Sequence, residues 1–253
     1  MRIDEYPDRE ERRDAVDQNL IRFIFDAGFL PVLVPNSMVE AGGSGRDVGL
    51  GESGKAVGMA SSTGKSVSGV ADGVGEPGEA IGLGKPGEFV PLESPYLKVF
   101  DVGAVGNLER FIQEVDPVGV VLSGGNDIGS CEDRDITEQF LLRYALKHQL
   151  PALGLCRGMQ MMGVFSGVEL TGVSGHVRTR HQLVGEIKRD VNSYHNLGLS
   201  GCPDGFRVLA TAEDGGIEAI RSGTLNWEGW MWHPERENPF NFADIKQFQK
   251  LFS

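Results

Sequence analysis

Cysteine is scarce in this 253-residue chain, which holds three: Cys131, Cys156 and Cys202. An odd number at wide spacing excludes a disulfide framework and points to a reducing compartment. Positive charge is also in short supply, with 24 Lys and Arg against 36 Asp and Glu and a formal net charge of -12. That balance argues against nucleic acid or an anionic membrane as partner, though not against a local basic pocket for a small anion. Long apolar runs are missing. Nothing approaches the roughly 20 residues of a membrane span, and the charged start, Met1 to Arg13, has no signal-peptide pattern. These absences lead us to expect a soluble, cytoplasmic protein, and the length suits one domain with one large core.

What is present alternates between two periods. Met1 to Arg13 has no periodicity. Val16, Leu20, Ile21, Phe23 and Ile24 recur at helical spacing up to Gly28, and Leu30 to Val34 reads as a buried strand. This order, helix then strand, leaves the sheet without the strand that usually comes first. Residues 39–88 are dominated by glycine and hold no aromatic residue. Such a composition buries too little apolar area to offset its ordering entropy, so a disordered insertion is expected there. Beyond it come a short helix at Leu108 to Gln113, a buried strand at Pro117 to Leu122, a helix from Glu132 to Lys147 and a second buried strand, Leu150 to Leu155. This β-α-β unit implies parallel pairing. A polar loop through Arg180 follows, then strands near His181–Ile187, Val191–His195, Phe206–Ala212, Gly216–Arg221 and Leu225–Met231, and a closing amphipathic helix, Phe242 to Phe252.

Three strand ends carry candidate chemistry. At Gly154-Leu-Cys-Arg-Gly158 a strand turns at once into a helix, as in a nucleophile elbow, with glycines where side chains would clash. The helix N-terminus favours a thiolate and offers N–H groups to an oxyanion. The bland alternative for Cys156, read alone, is a small buried hydrophobe. Ser123-Gly124-Gly125 follows a buried strand with N–H groups that no side chain screens, suiting an oxyanion hole or an ordinary tight turn. Trp232-His233-Pro234-Glu235 puts a base and a carboxylate two residues apart, where Glu235 can orient His233. His176 and His181 show no ligand set in sequence and the cysteine spacings do not suit zinc, so no metal and no cofactor are expected. Trp227, Trp230 and Trp232 are expected to pack the last strand or line the pocket.

Gly154-Leu-Cys-Arg-Gly-Met-Gln160, Ser123-Gly-Gly-Asn126 and His233-Pro-Glu235 together resemble class I glutamine amidotransferases and their γ-glutamyl hydrolase relatives of the peptidase C26 branch, over residues 15–37 and 108–252. The resemblance implies an α/β, three-layer, flavodoxin-like fold with a mostly parallel central sheet, here lacking its usual first strand, as a single domain over 1–253. It also implies Cys156 as nucleophile, His233 as base and acid, Glu235 as its orienting partner, and oxyanion N–H groups from Gly125 and Arg157. Gly124, Asn126, Gln160, Ser193, Tyr194, His195 and Arg236 are implied on the substrate side, the Asn192-Ser-Tyr-His195 stretch being similar to that branch's V-N-S-x-H segment. Met231-Trp-His-Pro-Glu-Arg236 is similar to the γ-glutamyl-CDP-amidate hydrolases, for which Arg236, Arg178, Arg180 and His181 would meet a phosphate. The expected function is a cysteine hydrolase of a small γ-glutamyl amide, such as γ-glutamyl-CDP-amidate or γ-glutamyl-γ-aminobutyrate, alone or as a homodimer. The alternatives are a glutaminase beside a separate synthase subunit and a non-catalytic binding relative, which would show an eroded triad.

Overall fold

In the computed structural model, residues 1–39 and 105–253 are described. The expected insertion therefore lies outside the described residues, apart from Val39, which is buried. The chain opens on a hairpin that the sequence did not announce: β1 (Arg2–Tyr6) and β2 (Glu11–Ala15) pair antiparallel. Only Ile3 of its strands is buried, so no apolar alternation marks it. Polar ties hold it instead. The Ile3 N–H donates to Asn126 Oδ1 (3.1 Å), Arg12 pairs with Asp133 (2.9 Å), and the Asn36 N–H donates to Asp14 (3.0 Å).

Helix α1 (Gln18–Asp26) starts at Asp17, whose carboxylate accepts from the Asn19 N–H at 2.8 Å, and buries Leu20, Phe23 and Ile24. The strand expected over Leu30 to Val34 does not form. That run has no ladder partner, and Leu30 is 75% exposed. An apolar cavity of about 480 Å³ is lined by this run on one side and by Gly119 to Leu122 on the other. A strand exists only where neighbouring backbone satisfies its N–H and C=O groups, and here the slot beside it is filled by no described residue.

The central sheet has, among the described residues, six strands in the order β3 (Val120–Leu122), β4 (Ala152–Leu155), β12 (Trp227–Trp230), β11 (Ile217–Ser222), β10 (Phe206–Thr211) and β7 (Val184–Gly185). Pairing is parallel across β3, β4 and β12, where the connection crosses over through a helix, and antiparallel from β12 to β7. The sheet is thus mixed rather than mostly parallel. The short links joining β10, β11 and β12 can only reverse the chain, which dictates antiparallel neighbours. Helices α1 and α5 (Phe242–Phe252) cover one face against Leu153, Leu155, Trp230 and Trp232. Helices α2 (Gly106–Val115), α3 (Glu132–His148) and α4 (Arg157–Phe165) cover the other against Val120, Leu122, Ala152 and Trp227. The three-layer α/β class stands.

Two small antiparallel pairs lie outside the sheet: β5 (Leu170–Gly172) with β9 (Leu197–Leu199), and β6 (Val177–Gln182) with β8 (Asp190–Tyr194). The latter begins inside the segment read as a polar loop, because β6 exposes most of its residues and shows no apolar alternation.

Candidate active site

The carboxyl ends of β3, β4 and β12 meet at one place, the expected site position for adjacent parallel strands. Cys156 sits between β4 and α4 at φ 50°, ψ -105°, a strained conformation for a residue with a side chain. Its N–H donates to Trp230 O at 2.7 Å, tying the turn to the neighbouring strand. The flanking glycines are required by contact rather than by φ. A Cβ on Gly154 would lie 2.5 Å from the Gly158 carbonyl carbon, and one on Gly158 would run into Leu122 O. The turn is therefore tight enough to present the sulfur over the start of α4, where the Arg157 N–H is one of the helix-initial donors without an intrahelical acceptor.

His233 leaves the end of β12 with its ring packed on Gly124, where a Cβ would come within 2.6 Å of His233 Cε1. Its Nδ1 meets Glu235 Oε1 at 2.6 Å, and both residues are buried. Burial, the largest influence, works to lower the His233 pKa. Hydrogen bonds to Cys156 and Glu235, with their charges, outweigh it and raise His233 to about 9. The imidazolium form is thus favoured below that pH, and any stability tied to it is lost as pH rises from the unfolded value of 6.5 through about 9. In Glu235→Gln, the alkaline limb of kcat/KM should move down toward neutrality. A limb that stays in place would show that Glu235 does not govern His233.

A buried ion cluster lies beneath the glycine loop. Arg157 pairs through its side chain with Asp135 and Glu138, and Arg134 pairs with Glu138 at 2.8 Å. Burial alone would push Glu138 up, but Arg157 and Arg134 hold it below its usual value, whereas burial keeps Asp135 raised. Arg134 Nη2 also donates to Ser123 O (2.8 Å) and Gly124 O (3.0 Å). In a trans peptide the N–H points opposite the carbonyl, so fixing the Gly124 carbonyl aims the Gly125 N–H away from Arg134. Gly125 itself adopts φ 139°, and a Cβ there would crowd Arg134 and lie 3.1 Å from Arg2 Cβ of the hairpin. Arg134 escaped the sequence reading because its charge sits in a helix turn that looks solvent-facing until α3 is packed.

The substrate-side residues divide. On β8, alternation sends Asn192 and Tyr194 to one face and Ser193 and His195 to the other. Asn192 braces His233 from both sides: the His233 N–H donates to Asn192 Oδ1 (2.9 Å), and Asn192 Nδ2 donates to His233 O (2.7 Å). The Tyr194 ring meets His233 edge-on at 5.9 Å, and the exposed Arg236 guanidinium lies 4.3 Å from the Tyr194 ring centre. Ser193, by contrast, is fully buried and donates to His176 O (2.7 Å). His195 turns toward Glu218. Gln160 is buried and donates to Leu197 O (2.8 Å), while Asn126 holds the N-terminal hairpin. Of the four cationic residues expected around a phosphate, Arg180 is engaged with Asp190 and Glu237, and the His181 ring lies 4.1 Å from that of His176. The three tryptophans are core, with Trp230 and Trp232 stacked at 5.4 Å. His176, His181 and His195 gather around Glu218, a grouping that the sequence reading of the histidines did not bring together.

The model of the "Glutamine amidotransferase class-I" family matches residues 92–240. This chain belongs to the class-I glutamine amidotransferases. It is 32% identical over 132 residues to the γ-glutamyl-CDP-amidate hydrolase of Campylobacter jejuni, a match covering 50% of this chain and 66% of that protein. It is also 26% identical over 140 residues to the glutamine-hydrolysing GMP synthase of Ruthia magnifica, covering 50% of this chain but 26% of the synthase. A solved glutamine amidotransferase from Thermotoga maritima superposes with a TM-score of 0.43 at 17% identity, over 56% of this chain and 76% of its own. Family membership supports hydrolase chemistry of the glutamine-amidotransferase type. No helix among the described residues is long and apolar enough to cross a membrane.

Proposed function

We propose that this amidotransferase-family chain hydrolyses a γ-glutamyl amide through a γ-glutamyl-thioester on Cys156. The observation that carries this is the strained Cys156 turn at φ 50° at the same strand ends as His233, which packs on Gly124 and which Glu235 holds at 2.6 Å. In this reading the Cys156 sulfur attacks the amide carbon and the carbonyl oxygen takes the negative charge, facing the N–H groups of Gly125 and Arg157. Collapse breaks the C–N bond as His233 gives its proton to the leaving amine. Water then attacks the thioester, His233 takes the water proton, and glutamate leaves as the thiolate is restored. The oriented hydroxyls and amides of Asn126, Ser193 and Gln160 are already committed to protein partners. The mouth of the site is left to Tyr194 and Arg236, whose positive charge beside His233 suits an anionic leaving group.

The similarity to the Campylobacter hydrolase favours γ-glutamyl-CDP-amidate as substrate. A second reading rests on the synthase match, which covers only one part of that longer protein: a glutaminase passing ammonia to a separate partner. Glutamate release from glutamine, γ-glutamyl-γ-aminobutyrate, a γ-glutamyl peptide and γ-glutamyl-CDP-amidate separates the two. The expected result is turnover of the CDP-amidate well above glutamine. Turnover of glutamine alone would move the assignment to the glutaminase, and a folded sample silent on all four would overturn both.

A further inference from the structure

Behind β8, on the side away from His233, two strand residues, His181 of β6 and Glu218 of β11, meet two strand-flanking ones, His176 before β6 and His195 after β8. We infer that these four side chains form a tetrahedral metal site suited to Zn²⁺, which clamps the β6–β8 pair onto β11 of the central sheet.

Geometry carries the inference. His176 Nδ1 to Glu218 Oε1 is 3.2 Å, His195 Nε2 to Glu218 Oε1 is 3.3 Å, and His176 Nδ1 to His195 Nε2 is 3.3 Å. The three atoms make a nearly equilateral triangle. A tetrahedral ion with bonds of roughly 2.0–2.1 Å separates its ligand atoms by about 3.3–3.4 Å, the same edge. His181 supplies a fourth ligand atom within 4.8 Å of the others. Its ring is the partly exposed one and can close that gap by rotating.

Proton accounting points the same way. His195 Nδ1 faces Leu197 O at 3.0 Å, so that nitrogen carries the hydrogen and Nε2 presents a lone pair to the cluster. His176 Nε2 faces the Asp214 carboxylate at 2.8 Å, so the neutral ring likewise presents an Nδ1 lone pair. Two nitrogen lone pairs and a carboxylate oxygen therefore face one point. Glu218 is fully buried, yet neither of its oxygens has a hydrogen-bond partner, and buried His181 Nε2 has none either. Unpaired buried acceptors are costly and a single added proton would serve only one pair. A cation at the centre satisfies all of them. Asp214 on His176 and the Leu197 carbonyl on His195 are the outer partners that orient metal-binding imidazoles. Imidazole and carboxylate ligands without thiolate suit zinc.

The clamp matters to the neighbouring chemistry through β8 alone. The metal would hold His195, the residue that follows the strand, and the strand's own Asn192 holds His233.

The test is metal binding itself. Chelator-treated full-length protein is titrated with Zn²⁺, and bound metal is counted by mass spectrometry; Co²⁺ then reports the ligands by its absorption. We expect one zinc per chain, a tetrahedral cobalt spectrum without a thiolate charge-transfer band, and a higher Tm with zinc. His195→Ala and Glu218→Gln should weaken binding by at least about 100-fold, while Cys202→Ser leaves it unchanged. Should the buried variants fail to fold, His181→Gln, at the partly exposed ligand, should still fold and bind at least about tenfold more weakly. No stoichiometric zinc on folded protein, binding that survives these substitutions, or a thiolate band lost in Cys202→Ser would each overturn the site.

Discussion

Cys156→Ala is expected to remove γ-glutamyl hydrolysis by a factor on the order of 10⁴ to 10⁶ while leaving the fold in place. The size of the loss follows from the role proposed for the sulfur. Deleting the nucleophile of a unit in which Cys, His and oxyanion donors act together forfeits nearly all of its rate enhancement. The fold should survive because the substitution removes one atom from a residue whose backbone hydrogen bond to Trp230 O is kept. Alanine tolerates φ 50° no better than cysteine does, so strain at the turn does not change. The check is kcat for glutamate release alongside the thermal midpoint. A trapped γ-glutamyl adduct seen by mass spectrometry in the parent should vanish in the variant. An alanine variant that keeps more than a few per cent of activity would remove Cys156 from the mechanism.

The second large effect concerns stability. Arg157→Met should lower the unfolding free energy by about 3–5 kcal/mol at pH 8, since removing one member of a buried ion cluster strands its partners. Arg157 is almost wholly inaccessible, and its side chain runs to Asp135 and Glu138 rather than toward substrate. Glu138 keeps Arg134 and Asp135 keeps the Gly129 N–H (2.8 Å), but both lose the charge that offsets their burial. The sign with pH follows. A buried carboxyl that loses its cation has its folded pKa raised above the unfolded value. Protonation then favours the folded state, and the deficit relative to the parent shrinks as pH falls. Urea unfolding of both proteins at pH 8 and pH 5.5 measures it. Because the Arg157 backbone N–H is untouched, the folded fraction should retain an oxyanion donor and substantial kcat. A variant as stable as the parent would show that the cluster is already compensated by other groups.

These two residues mark how far the sequence can be read. The Cys156 turn was legible because everything that makes it is local: an apolar run, small residues on both sides, and a helical period starting at the next position. Arg157 was legible only as a backbone donor. Its side chain's partners lie 19 and 22 positions earlier in the chain, in a helix whose charges look like a solvated face. The N-terminal hairpin escaped for the opposite reason, being polar on both faces and held by side-chain ties rather than by a buried stripe. At Leu30 to Val34 the apolar run was real, yet no neighbouring strand exists among the described residues to complete it.

The sequence by itself determined the α/β alternation, the helix limits at Glu132 and Phe242, and the strand-to-helix turn at Cys156, because each is set by periodicity and steric fit among residues near one another in the chain. Only the tertiary structure decided which face of β8 meets His233, that Arg134 aims the glycine loop, and that three histidines converge on Glu218. Those contacts depend on strand register and on burial, which move a side chain from solvent to core without changing its identity.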